Sequence, residues 1–134
     1  MNAAEAAVLL AAVSANDNRE VTESASRAWA AALPDVELRD ALDYLPRYYR
    51  AATRDGRNWI YPGDVLNGVI ELHAERRRAV MRDARDEVTR RIGTDADAEL
   101  RAIRAAVDAG KAYDAEHSIP RLEQAERQHL AVSS

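Results

Sequence analysis

Apolar residues recur along this chain at steps of three and four, and caps, prolines and glycines punctuate them, so the pattern is one of successive amphipathic helices. Asn2 with Glu5 has the form of a capping box, and Val8, Leu9, Ala12 and Val13 follow on one face, which predicts a helix from about Ala3 to Ala15. The polar stretch Asn16 to Val21 ends at Thr22, an N-cap residue. Beyond it Ala25, Ala28, Trp29, Ala32 and Leu33 make a second stripe that stops at Pro34. Asp35 can cap a third helix burying Leu38, Ala41, Leu42, Leu45 and Tyr49, with Pro46 predicting a kink or a division into two shorter helices.

The segment Asp55 to Asp64 reads as a turn at Asp55-Gly56, an apolar anchor of Trp59 and Ile60, and a helix opened by Pro62 with Asp64 near its positive end. Val65, Val69 and Leu72 share one face of that fourth helix. From Glu75 to Ile92 the stripe thins to Val80, Met81, Ala84, Val88 and Ile92 among dense mixed charge, so the helix is expected to run on, exposed, past the core. Gly93 suits a C-cap, Thr94 with Asp97 can open a fifth helix carrying Ala96, Leu100, Ile103 and Val107, and the two stripes are expected to zip into an antiparallel hairpin. Gly110, Ser118, Ile119 and Pro120 break the pattern. A short amphipathic tail with Leu122, Ala125 and Leu130 follows, expected to be disordered or dependent on a partner.

The fold expected is all-α: a helical bundle over residues 1–74, with Trp29, Leu42, Tyr49, Trp59, Val65 and Val69 as its structural core, then a charged arm and tail over 75–134. Composition agrees, since the 134 residues are 47% hydrophobic, rich in alanine, and hold only 5 glycines and 4 prolines. Charge is uneven. Residues 1–75 carry 7 arginines against 12 acids, residues 76–134 carry 12 basic side chains against 11 acids, and neither half has the surplus of a general nucleic-acid binder.

The search for chemistry is mostly negative. There is no cysteine, so no disulfide, thiolate metal site or thiol nucleophile is available, and no phosphate-binding glycine loop occurs. His73, His117 and His129 are scattered, and the spacing of Glu71, His73 and Glu75 divides them between helix faces. No metal, cofactor or catalytic activity is expected. No membrane span and no basic leader is read, which points to the cytoplasm. The run Arg76-Arg77-Arg78 with Arg82 and Arg85 is the sharpest basic feature; Glu75, Asp83, Asp86 and Glu87 lie among it, so a solvated face weighs against a phosphate grip. A helix-turn-helix reading of the first three helices lacks base-reading side chains.

The order of an Ala-rich helix, the Asn16-Asp17 loop, a helix centred on Trp29, the segment Asp35-Val36 to Asp40-Ala41-Leu42, Tyr48-Tyr49, and Trp59-Ile60 to Pro62, Asp64 and Val65 resembles the small helical domain of phage replicative-helicase loader/inhibitor proteins, of the actinobacterial phage or prophage type. The resemblance covers about residues 4–78 and departs from the pattern at Pro46 and Tyr48. It implies a non-enzymatic adaptor that binds a DnaB-type replicative helicase, restrains it and hands it to an origin-bound initiator protein, with the C-terminal region engaging the helicase. On that expectation the partner-binding residues are Arg76, Arg77, Arg82, Arg85, Leu100, Ile103, Leu122 and Leu130, and a chain cut at Gly93 stays folded. The alternatives are a small helical DNA-binding regulator using the Arg-rich helix, and a structural dimer formed through the long helices.

Overall fold

The computed structural model describes the backbone of residues 1–55 and 59–133, and within them every side chain except those of residues 52–55, 120 and 133. The turn expected at Asp55-Gly56 falls outside the described residues. Among those described the fold is all-α, with six helices: α1 (Ala3–Asp17), α2 (Glu23–Ala32), α3 (Leu38–Asp55), α4 (Pro62–Ile92), α5 (Ala96–Glu116) and α6 (Ile119–Ser133).

Short-range chemistry sets most of the boundaries. Asn2 accepts from the Glu5 N–H while the Glu5 carboxylate accepts from the Asn2 N–H, closing the capping box of α1. That helix ends at Asn18, whose φ of 55° is tolerated because a short amide side chain costs little in the left-handed region. The Thr22 hydroxyl caps α2 by accepting from Ala25, and the Asp64 carboxylate accepts from Tyr61 ahead of the Pro62 start of α4. Gly93, at φ 92°, follows the last residue of α4. Two caps differ from expectation. Asp35 lies in a turn and the Glu37 carbonyl accepts the first helical bond of α3, from Ala41; at α5 it is Asp95, not Thr94, whose carboxylate accepts from Ala98 at 2.8 Å. Pro46 sits inside a single 18-residue α3 on its exposed side, where water can satisfy the carbonyl the ring leaves unbonded.

Contacts divide the chain into two units: Met1–Leu72 with Arg121–Ser134, and His73–Pro120. In the first, α1 packs on α2 and α3, and the core is Leu9, Leu10, Val13, Trp29, Leu33, Val36, Leu45, Ile60, Val65, Val69 and Leu122. Gly68 admits the Tyr44 ring of α3, which lies about 2 Å from where a Cβ would stand. Tail and core differ from the sequence expectation here. The tail is the helix α6, grouped with the first unit, and Leu122, assigned to partner binding, is 2% exposed in the core. Two turns further along α6, His129 fills the space beside Gly63. Leu42 and Tyr49, assigned to the core, are half-buried, because α3 turns Ala41, Leu45 and Tyr48 inward instead.

The second unit is an antiparallel hairpin of the later part of α4 with α5: His73 meets Tyr113, Arg77 meets Asp114 and Arg85 meets Glu99. The face of α5 that packs is not the one expected. Ala98, Ala102, Ala106 and Gly110, four residues apart, are buried together with Tyr113, and a Cβ on Gly110 would come within 2.9 Å of Met81 Sδ. A ridge of small side chains lets two helix backbones approach closely, so it wins the interface over larger residues that would hold the helices apart.

Candidate docking surface

Burying the alanine ridge leaves the larger apolar residues of α5 outside. Leu100, Ile103 and Val107 are 56%, 44% and 41% exposed and follow one another at steps of three and four, forming a stripe about 110° round the helix from the packed ridge. Such a stripe is the shape that receives another helix, whose own apolar residues interleave with it. On its outer flank lie five exposed charges, Asp97, Arg101, Arg104, Asp108 and Lys111.

The arginines behave differently from a phosphate-binding row. Arg77 donates from Nε to both oxygens of Asp114 at 2.8 and 3.0 Å and from a terminal nitrogen to Met81 Sδ, Arg85 faces Glu99 at 3.5 Å, and both Arg90 and Arg91 pair with Glu87. Arg82 is exposed and Arg76 half-buried. Pairing within the hairpin spends several of these cations on neighbouring carboxylates, so the surface they make is mixed in sign. A cleft of about 320 Å³ near the hairpin turn repeats this character, lined by Arg85, Asp86, Thr89, Gly93, Thr94, Glu99 and Ala102. Leu130, also expected to bind a partner, is exposed on α6.

His73 is buried, and its Nδ1 lies 2.7 Å from the Tyr113 hydroxyl, with His117 stacked on the Tyr113 ring at 4.0 Å. Glu71 and Glu75 point to solvent on either side of it, and among the described residues no three His, Cys, Asp or Glu side chains stand together as metal ligands. No described helix is long and apolar enough to cross a membrane.

The first unit has an anchor that the sequence expectation missed. Asp17, with no exposed side-chain area, accepts two bonds from Arg19 Nε at 3.0 and 2.9 Å, and Arg19 also donates to the Ile60 carbonyl at 2.8 Å. The same guanidinium lies 5.4 Å from the Trp29 ring centre and 4.8 Å from that of Trp59. Trp59 itself, assigned to the core, is 52% exposed: one face rests on Arg19, its carbonyl accepts from the Tyr48 hydroxyl at 2.6 Å, and the adjacent Ile60 supplies the buried mass. A cation over an indole face is attractive without full burial. No sequence signal marks this node beyond the nearness of Asp17 to Arg19.

The fold and surface together define an all-helical protein whose hairpin presents an apolar stripe that its own packing does not use. Comparison with protein-family models, curated proteins and solved structures finds no match for the chain.

Proposed function

We propose that this protein is a non-catalytic helical adaptor that docks a helix of a partner through the outer stripe of α5, and that the partner is a DnaB-type replicative helicase, which it inhibits and helps load at a phage replication origin with an origin-bound initiator. The observation that carries the adaptor reading is the exposure of Leu100, Ile103 and Val107 on a helix whose packing is already complete through Ala98, Ala102, Ala106 and Gly110. Three large aliphatic side chains in a row on a solvent face cost hydration free energy that a bound helix recovers. The helicase is supported by the resemblance in the spacing of Trp29, Tyr48-Tyr49, Trp59 and Pro62. The internal pairing of Arg77, Arg85, Arg90 and Arg91 favours a protein partner over the phosphate backbone of DNA.

The test is to mix the purified chain with an actinobacterial DnaB-type helicase, follow both by sizing chromatography, and record helicase ATPase activity with and without it. Co-elution with altered ATPase activity is expected. An active helicase that neither co-elutes nor changes its rate would remove the helicase from the proposal, and steeply salt-dependent binding to duplex DNA would replace it with a DNA-binding regulator.

A further inference from the structure

We infer that, in the absence of a receptor, the outer stripe of α5 is covered by the α5 stripe of a second copy of this chain, in an antiparallel, two-fold symmetric pair. This goes beyond the adaptor reading and does not depend on which receptor the chain takes. It rests on the stripe together with the order of the charges beside it.

A two-fold axis passing the stripe near Ile103 sets Leu100 of one copy opposite Val107 of the other and Ile103 beside its own counterpart. The exposed flank then reads, in sequence order, Asp97, Arg101, Arg104, Asp108 and Lys111, that is negative, positive, positive, negative, positive. Positions 97, 104 and 111 are separated by seven residues and share one edge of the helix, with 101 and 108 just outside it. Reversing one copy brings Asp97 to Lys111 and Arg101 to Asp108, and symmetry makes each pair twice. Arg104 falls near the axis beside its own copy, one repulsive contact against four attractive ones. A parallel pair would put this flank of the two copies on opposite sides of the interface, so none of these attractive pairs could form, and would also align the two helix dipoles unfavourably. None of the five is engaged in an ion pair among the described residues, so each is available across such an interface. The small-residue ridge, occupied within the hairpin, lies on the other side of the stripe and leaves this flank open.

A receptor helix and a second copy would compete for Leu100, Ile103 and Val107. The paired form is therefore the resting state of the chain when no receptor is present, and binding a receptor releases a monomer.

Sedimentation equilibrium of the full chain over a wide concentration series tests this without any helicase, so its result is independent of the helicase proposal. A monomer–dimer equilibrium is expected, with no larger species because a two-fold contact closes on itself. Ile103→Glu and, separately, Leu100→Gln should each raise the dissociation constant at least about tenfold, with helical circular dichroism unchanged because both side chains are exposed. Asp97→Lys and Lys111→Asp should each weaken the dimer at low salt, and the double substitution should restore it. A chain that stays monomeric at every concentration, or a dimer indifferent to Ile103→Glu, would overturn the inference. Failure of the double exchange to restore what the single ones lose would overturn the antiparallel arrangement.

Discussion

A carboxylate with no access to water survives in a folded core only if its charge and its lone pairs are answered, and Asp17 is answered by Arg19 from two residues away. The pair also holds the chain together at longer range, since Arg19 reaches the Ile60 carbonyl and lies against two indole rings. Arg19→Ala leaves Asp17 buried and uncompensated and is expected to cost about 3 to 5 kcal/mol in denaturant unfolding, with Asp17→Asn in the same chain recovering part of it. Arg19→Lys will not substitute, because an ammonium cannot make the two-point contact or lie flat on the rings. The same site sets an alkaline response. Burial first, and then the nearby Asp17 carboxylate, push the Tyr49 hydroxyl up to about 12. The folded chain thus keeps a proton that the unfolded chain releases near 10, so this contribution to stability is complete below pH 10 and is lost as pH rises through 12. An absorbance titration should show tyrosine ionisation continuing up to about pH 12, and Tyr49→Phe should remove one tyrosine from that late part of the curve. At this scale the sequence is least legible. Trp59 looks like a core residue because indoles usually are, yet what holds it is a cation contributed by a loop forty residues earlier, and nothing in local spacing announces that.

Helix ends were legible and helix faces only partly so. Asn2, Thr22, Pro62 and Gly93 do what their chemistry dictates within one turn of themselves, which is why sequence alone locates them. Faces depend on what arrives from elsewhere. In α5 two stripes compete, one large and one small, and hydrophobicity by itself favours Leu100, Ile103 and Val107. The fold selects the Ala98-Ala102-Ala106-Gly110 ridge, whose regular spacing of four was readable as a close-packing signal. Gly68 shows the same logic inside the first unit. Placing a methyl there meets the Tyr44 ring at about 2 Å, whereas helix propensity alone rewards Ala over Gly by about 1 kcal/mol. Gly68→Ala is therefore expected to destabilise the natural chain by about 1 to 2 kcal/mol and to stabilise a Tyr44→Ala chain, a reversal of sign that a double-mutant cycle would detect. Equal effects in both backgrounds would mean the ring does not occupy that groove.

The whole molecule is organised by the return of its last helix. A tail separated by a hairpin from the bundle reads, in sequence, as an appendage, because nothing in Leu122, Ala125 and Leu130 says which core they join. Leu122 is buried and α6 belongs to the first unit, so a cut at Gly93 removes part of the first core along with the hairpin. Such a truncation is expected to melt at a lower temperature than the full chain, and Leu122→Ala alone should cost about 2 to 5 kcal/mol. An unchanged midpoint for Leu122→Ala would show that α6 adds nothing to the core. Function is then best assigned by point substitution, which leaves both units whole. The measurement that bears most directly on the docking proposal is a binding titration of the full chain and its Ile103→Glu variant against a DnaB-type helicase, with thermal midpoints recorded for both. The expected result is a loss of affinity of at least about tenfold, at a midpoint that is unchanged when both chains are dilute enough to be monomeric. Equal affinity of the two chains would contradict docking through α5.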